Sequence, residues 1–228
     1  MIQNVLLDLD DTLLDFHKAE AAALKKTLQR LDIVPKEATV TRYSQINDAQ
    51  WKLLEQGKLT RPEILVRRFS LLFEELGVIR DAELANTLYK SFLAQGHYFI
   101  DGAPELLEIL APKYKLYLVS NGNAAVQDSR IQSAGITKYF QQIFISQRIG
   151  FDKPAREFFM RCFEKMPGFT EANTIIVGDS LTSDMQGGNN AGIHTCWFNP
   201  MKKTHPADIR IDGEITRLEE LPLLLESL

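Results

Sequence analysis

The feature that most restricts how this chain of 228 residues can fold is a series of short apolar runs, each ending in acidic or small polar residues. Val5-Leu6-Leu7-Asp8-Leu9-Asp10 is the first, and similar runs recur at Leu116–Ser120, Ile143–Ser146, Thr174–Asp179 and Thr195–Phe198. A run this short that is apolar at consecutive positions reads as a strand buried on both faces, which is the habit of parallel sheets. Glu105–Leu110, ahead of the second run, and Arg156–Phe163, between the third and fourth, carry apolar residues at helical spacing. This alternation predicts an α/β fold with a doubly wound parallel sheet, whose ligands bind beyond the carboxyl ends of the strands.

One stretch breaks the alternation. From about His17 to Tyr98 no strand pattern appears, only amphipathic helical text. Helices are expected at Ala19–Leu31 and Thr41–Glu55. A third should open at Thr60-Arg61-Pro62-Glu63, where Pro falls in the first turn and Glu in the capping-box position. A fourth is expected at Asp81–Leu93, after a break at Gly77. The expected organisation is therefore an α/β core of residues 1–16 and 99–228 with an inserted helical bundle, residues 17–98, able to act as a lid. Leu218–Leu228 reads as a closing helix, with Pro222 near its first turn.

Composition narrows the class of partners. Lys and Arg total 26 against 30 Asp and Glu, and no basic run occurs, so the footprint of a nucleic-acid-binding protein is missing. Hydrophobic residues make up 45%, yet no apolar stretch approaches the roughly 20 residues that span a bilayer. The start Met1-Ile2-Gln3-Asn4-Val5 has no basic region or small-residue cleavage site, so a cytoplasmic protein is expected, without a membrane partner. Cys162 and Cys196 then read as reduced core thiols. His17, His97, His194 and His205 show no metal-ligand spacing.

The densest chemical signal is Asp8-Leu9-Asp10-Asp11-Thr12. In an extended strand end, Asp8 and Asp10 project to one side, and two such carboxylates call for a divalent cation with a taste for hard oxygen ligands, Mg²⁺. An acidic strand end on its own also fits a solvated turn or a helix cap. A second cluster, Gly178-Asp179-Ser180-Leu181-Thr182-Ser183-Asp184, follows another apolar run. Asp184 there could be an N-cap, but acids converging from two strand ends favour a metal site. Ser120-Asn121-Gly122-Asn123 offers a hydroxyl, backbone N–H groups and a glycine to a phosphate, and equally fits a tight turn. Lys153-Pro154 adds a point charge at a turn or at the first residue of a helix. Gly187-Gly188-Asn189-Asn190-Ala191-Gly192 is no dinucleotide fingerprint, because it does not directly follow a strand.

In order, these motifs are Asp-x-Asp-x-Thr, Ser-Asn-Gly, Lys-Pro and Gly-Asp-Ser-x-x-x-Asp. The series resembles the haloacid dehalogenase-like (HAD) hydrolase superfamily, and the helical insertion resembles its C1 cap. The resemblance implies a Rossmann-like core and a Mg²⁺-dependent phosphomonoesterase. Asp8 would be the nucleophile forming an aspartyl-phosphate, and Asp10 the general acid and then base. Mg²⁺ would be held by Asp8, Asp179 and the backbone carbonyl of Asp10, with Asp184 orienting a metal-bound water or Lys153. Ser120, the Asn121 backbone and Lys153 would bind phosphoryl oxygens beside Gly122, and Thr12 would support the first loop.

A finer resemblance lies outside these motifs. Gln127 and Arg130 after Asn121-Gly122, then Gly135-Ile136, Tyr139-Phe140 and Thr195-Cys196-Trp197-Phe198-Asn199, are similar to the bacterial house-cleaning pyrimidine 5′-nucleotidases. So are Asn47, Trp51, Gly57 and Arg68-Phe69. By that likeness the partner is a small phosphomonoester, a pyrimidine nucleoside monophosphate, with Asn47 and Trp51 as substrate-binding candidates. Trp51 and Phe16 could stack on a base or belong to the bundle core. A sugar-phosphate or phosphoglycolate phosphatase, a mutase and a non-hydrolytic receiver-type phosphoacceptor stay open, as does the choice between monomer and homodimer. Dehalogenases of the superfamily typically lack an acid at the position of Asp10, so its presence favours phosphate chemistry.

Overall fold

The computed structural model of the protein describes residues 1–228. β1 (Asn4–Asp8) is followed by α1 (Phe16–Arg30), α2 (Glu37–Glu55), α3 (Arg61–Leu76) and α4 (Ala82–Leu93). The chain continues through α5 (Ala103–Leu110), β2 (Lys115–Ser120), α6 (Ala124–Ser133), β3 (Gln142–Ile145) and α7 (Ser146–Ile149). α8 (Arg156–Phe163), β4 (Thr174–Gly178), α9 (Gln186–Ala191), β5 (His194–Phe198), β6 (Gly213–Ile215) and α10 (Leu221–Ser227) complete it. Two compact units result, Met1–Asp15 with Phe99–Leu228, and Phe16–Tyr98.

In the first unit all six strands are parallel, in the order β3-β2-β1-β4-β5-β6. The chain builds outward from β1 through β2 to β3, then returns to the other side of β1 with β4, β5 and β6. Between β1 and β4 the direction of winding reverses, which is where a doubly wound sheet opens a crevice beyond its carboxyl edge. Register decides what lines it. Asp8 pairs with Val119 and Leu7 with Val177, so Asp8, Ser120 and Asp179 arrive at one edge.

Alternation along β1 explains the two covering layers. Val5 and Leu7 pack with Leu106, Leu107 and Leu110 of α5, Ile131 of α6 and Leu221 and Leu225 of α10. Leu6 packs on the opposite face with Phe158, Phe159 and Cys162 of α8 and Ala191 of α9. Pro222 occupies the first turn of α10, where its missing N–H costs nothing. β6 escaped the sequence reading because it has three residues, of which only Ile215 is buried.

The second unit is all helical, with α1 against α4, α2 against α3, and α3 against α4. Thr60 and Glu63 form the expected capping box, Gly77 closes α3 in the left-handed region at φ 66°, and Asp81 caps α4 by accepting from the N–H groups of Glu83 and Leu84. α1 and α2 begin earlier than their apolar spacing indicates, at Phe16 and Glu37. The first turn of α1 mixes Phe16 and Ala19 with His17 and Lys18, and Glu37 suits the positive end of α2. None of the helices is long and apolar enough to cross a membrane.

Candidate active site

The first acidic motif leaves the sheet through a tight loop. Asp8 is the last residue of β1 and buried; beyond it the N–H groups of Leu13 and Leu14 both donate to the Leu9 carbonyl, and Asp11 takes φ 57°. Aspartate tolerates that left-handed conformation better than most residues. Thr12 is fully buried, and its Oγ1 accepts from the Asp179 N–H at 3.1 Å, tying the loop after β1 to the loop after β4. The Trp197 indole donates to the Asp179 carbonyl at 2.8 Å. The Asp179 backbone is thus held from both sides while no donor reaches its carboxylate.

Lys153 joins the motifs. Its ammonium, 1% exposed, donates to Asp8 Oδ1 at 2.5 Å, to Asp184 Oδ1 at 2.6 Å and to the Val119 carbonyl at 3.3 Å. Burial alone would lower the Lys153 pKa, but Asp184 and Asp8 outweigh it and hold the group above its ordinary value. One ammonium cannot neutralise every acid in the cluster. Burial pushes Asp8 up, and the charges of Asp184 and Asp10 add to that against the pull of Lys153. Asp179 is also raised well above the ordinary range, by burial and then by Asp8, Asp184 and Asp11.

Asp184 is no N-cap. Ser180 caps this turn by accepting from the Ser183 N–H, whereas Asp184 lies inside the one-turn π-helix Leu181–Met185 that feeds α9. Its second oxygen accepts from the Ser180 N–H at 3.2 Å. Gly178 makes this possible, since a Cβ there would stand 2.2 Å from Asp184 Oδ2. The glycine run read as unlike a dinucleotide loop is α9 and its C-cap.

The phosphate candidates are equally specific. Ser120, at the end of β2, is buried; its Oγ accepts from the Gly122 N–H at 3.0 Å and from Gln127 Nε2 at 2.9 Å. With both lone pairs occupied, the hydroxyl proton is the group left to offer. The Asn121 side chain pins the main chain of Lys153, donating to its carbonyl at 2.8 Å and accepting from its N–H at 2.9 Å. Pro154 lies in the turn before α8 rather than at its first residue.

Oxygen atoms of Asp8, Asp179 and Asp184 lie within 4.8 Å of one another. All are hard donors of the kind Mg²⁺ takes. With every carboxylate ionised, Asp8, Asp10, Asp179 and Asp184 against Lys153 and Arg130 would leave two negative charges, which one divalent cation would balance. The Asp10 side chain is outside this cluster. Its oxygens are held by Arg130 and Gln127 of α6, two residues that sequence reading quoted in a family likeness without giving them a role.

Asn47 and Trp51 lie in the helical unit. Asn47 is buried within a polar chain, its Nδ2 donating to Glu20 at 2.9 Å and its Oδ1 accepting from Arg68 at 2.8 Å, so its amide is engaged inside the bundle. Arg68 also donates to Asn86 and lies among the rings of Tyr89, Phe69 and Tyr43. Trp51 is half-buried, with the Arg61 guanidinium 5.3 Å from its ring.

A sheet that switches direction beside Asp8, with four polar motifs at its carboxyl edge, defines a hydrolase of the HAD type. The family model for haloacid dehalogenase-like hydrolases matches residues 5–198, and the chain belongs to that family. It is 41% identical to YfnB of Bacillus subtilis (strain 168) over 219 residues, 96% of this chain and 93% of the relative. A solved structure of YfnB bound to magnesium superposes with a TM-score of 0.95 over 98% of both chains. The pyrimidine 5′-nucleotidase PynA of Streptococcus pneumoniae is 40% identical over 86% of this chain and 83% of its own. YjjG, a pyrimidine 5′-nucleotidase of Escherichia coli, is 27% identical over 97% and 96%.

Proposed function

We propose that the protein is a Mg²⁺-dependent phosphomonoesterase acting on pyrimidine nucleoside 5′-monophosphates through a phosphorylated Asp8. The observation that carries this reading is the cluster at the sheet switch. Asp8 is fixed by Lys153 beside Asp179, whose carboxylate no donor reaches, and the proton of the Ser120 hydroxyl is free to donate. PynA and YjjG, pyrimidine 5′-nucleotidases by name, support the substrate class.

Asp8 and Asp179, with the Asp10 carbonyl, would hold the ion, and Asp184 would support them through Lys153. Bound there, Mg²⁺ would screen the surplus acids and keep Asp8 ionised. The carboxylate of Asp8 attacks phosphorus as the bond to the leaving oxygen breaks, and that oxygen takes its proton from Asp10. Water then attacks the aspartyl-phosphate, its proton passing to Asp10, and Asp8 is released with inorganic phosphate. Ser120 and Lys153 offset negative charge on the phosphoryl oxygens throughout. Such fixed charges supply most of the catalysis in phosphoryl transfer.

The reading predicts phosphate release from UMP, dUMP and dTMP with Mg²⁺ and none with EDTA. Turnover of sugar phosphates alone would keep the chemistry and discard the nucleotidase. Stoichiometric phosphorylation without turnover would favour an acceptor module.

A further inference from the structure

Asp10 is held in an unusual way. Both of its oxygens are taken by one helix, Oδ1 by Arg130 Nη1 and Oδ2 by Gln127 Nε2 at 2.6 Å. The donors stand three residues apart on α6, a spacing that puts them on one face. They are linked to each other, because Arg130 Nη1 also donates to Gln127 Oε1 at 2.9 Å. Gln127 Nε2 reaches the Ser120 Oγ as well, so a single amide connects Asp10 to the hydroxyl at the end of β2.

Burial makes this arrangement costly to build. Arg130 is 0% exposed and Gln127 2%, on a helix whose Asp128, Gln132 and Ser133 face solvent. A buried guanidinium is no net gain in stability over an apolar side chain of similar size, so packing alone does not call for one here. The loop above is shaped to admit the amide. A Cβ on Gly122 would lie 2.3 Å from Gln127 Nε2. What the pair provides is a fixed direction for the Asp10 carboxyl group, measured from the residue that meets the phosphoryl oxygens.

We propose that Arg130 and Gln127 are positioning residues that aim Asp10 at the leaving oxygen and set its distance from Ser120. This rests on the phosphomonoesterase reading above, in which the P–O bond to the leaving group breaks as Asp10 hands over its proton. Misaiming Asp10 then harms substrates in proportion to how much their leaving oxygen needs that proton. A nucleoside alkoxide needs it; 4-nitrophenolate leaves without it.

The test compares kcat/KM, which reports steps up to departure of the leaving group, for UMP and 4-nitrophenyl phosphate in wild type, Arg130→Met, Arg130→Lys and Gln127→Leu. General acid catalysis is worth about 10²–10⁴-fold, so Arg130→Met should lose about 10²-fold on UMP. Its loss on the aryl ester should be smaller by about tenfold or more, on the same scale. Arg130→Lys, which keeps a donor, should recover part of the UMP rate alone. Gln127→Leu should show the same split and serves if Arg130→Met does not fold. Equal losses on both esters, or no loss on either, would overturn the proposal with the phosphatase reading intact. A wild type that hydrolyses neither ester with Mg²⁺ would overturn both.

Discussion

Lys153 has one ammonium and two carboxylate partners, and most of the site's behaviour follows from that imbalance. Asp184 reaches it only because Gly178 has no side chain in the way. Gly178→Ala should therefore push Asp184 off Lys153 and the Ser180 N–H. The expected cost is about 1–3 kcal/mol of stability, in the range of other overpacked sites, together with most of the activity. Thermal melting and turnover check it, and an active variant with an unchanged melting point would contradict it. The acids, Ser120 and Lys153 were legible in the sequence because each ends an apolar run or follows one. Gln127 and Arg130 were not assigned a task, since a polar pair at helical spacing ordinarily faces solvent; only burial shows that it turns inward. The Asn47 amide was likewise invisible, because the partners that engage it come from two other helices.

Helices place these residues, and one of them carries a titration of its own. In the helical unit Glu20 of α1 is buried against Asn47 of α2, with Asp48, His17, Ser44 and Arg68 nearby. Burial pushes its carboxyl up to about 7, against the Ser44 hydrogen bond. The folded unit then binds this proton more tightly than the unfolded chain. Its contribution is complete below the ordinary value of 4.5 and is lost as pH rises through about 7. Glu20→Gln keeps an acceptor for Asn47 and removes the charge. It should gain on the order of 2 kcal/mol over wild type at pH 8 and nothing at pH 4, measured by denaturant unfolding. A constant difference across that range would place the proton elsewhere. Helix existence was readable here from capping and spacing, as at Thr60, Gly77 and Asp81. The start of α2 was not, because its N-cap is Lys36, a residue that makes no side-chain cap.

At the scale of the whole molecule, topology turns separate motifs into one site. The winding reverses beside β1, so residues far apart in the chain meet at a single edge, as Asp8 and Lys153 do at 2.5 Å. Strand–helix alternation was enough to read that architecture from the sequence. The short β6 was not readable, since its pairing with β5 comes from the sheet rather than from its own pattern. In the chemistry proposed for this edge, Asp8 carries the phosphoryl group. The most direct test is rapid acid quenching of wild type during turnover of UMP with Mg²⁺, followed by peptide mapping, alongside Asp8→Asn. Phosphate is expected on the peptide bearing Asp8, and an Asp8→Asn protein should stay folded with neither label nor turnover. Turnover of Asp8→Asn near the wild-type rate, or label on another residue, would contradict it.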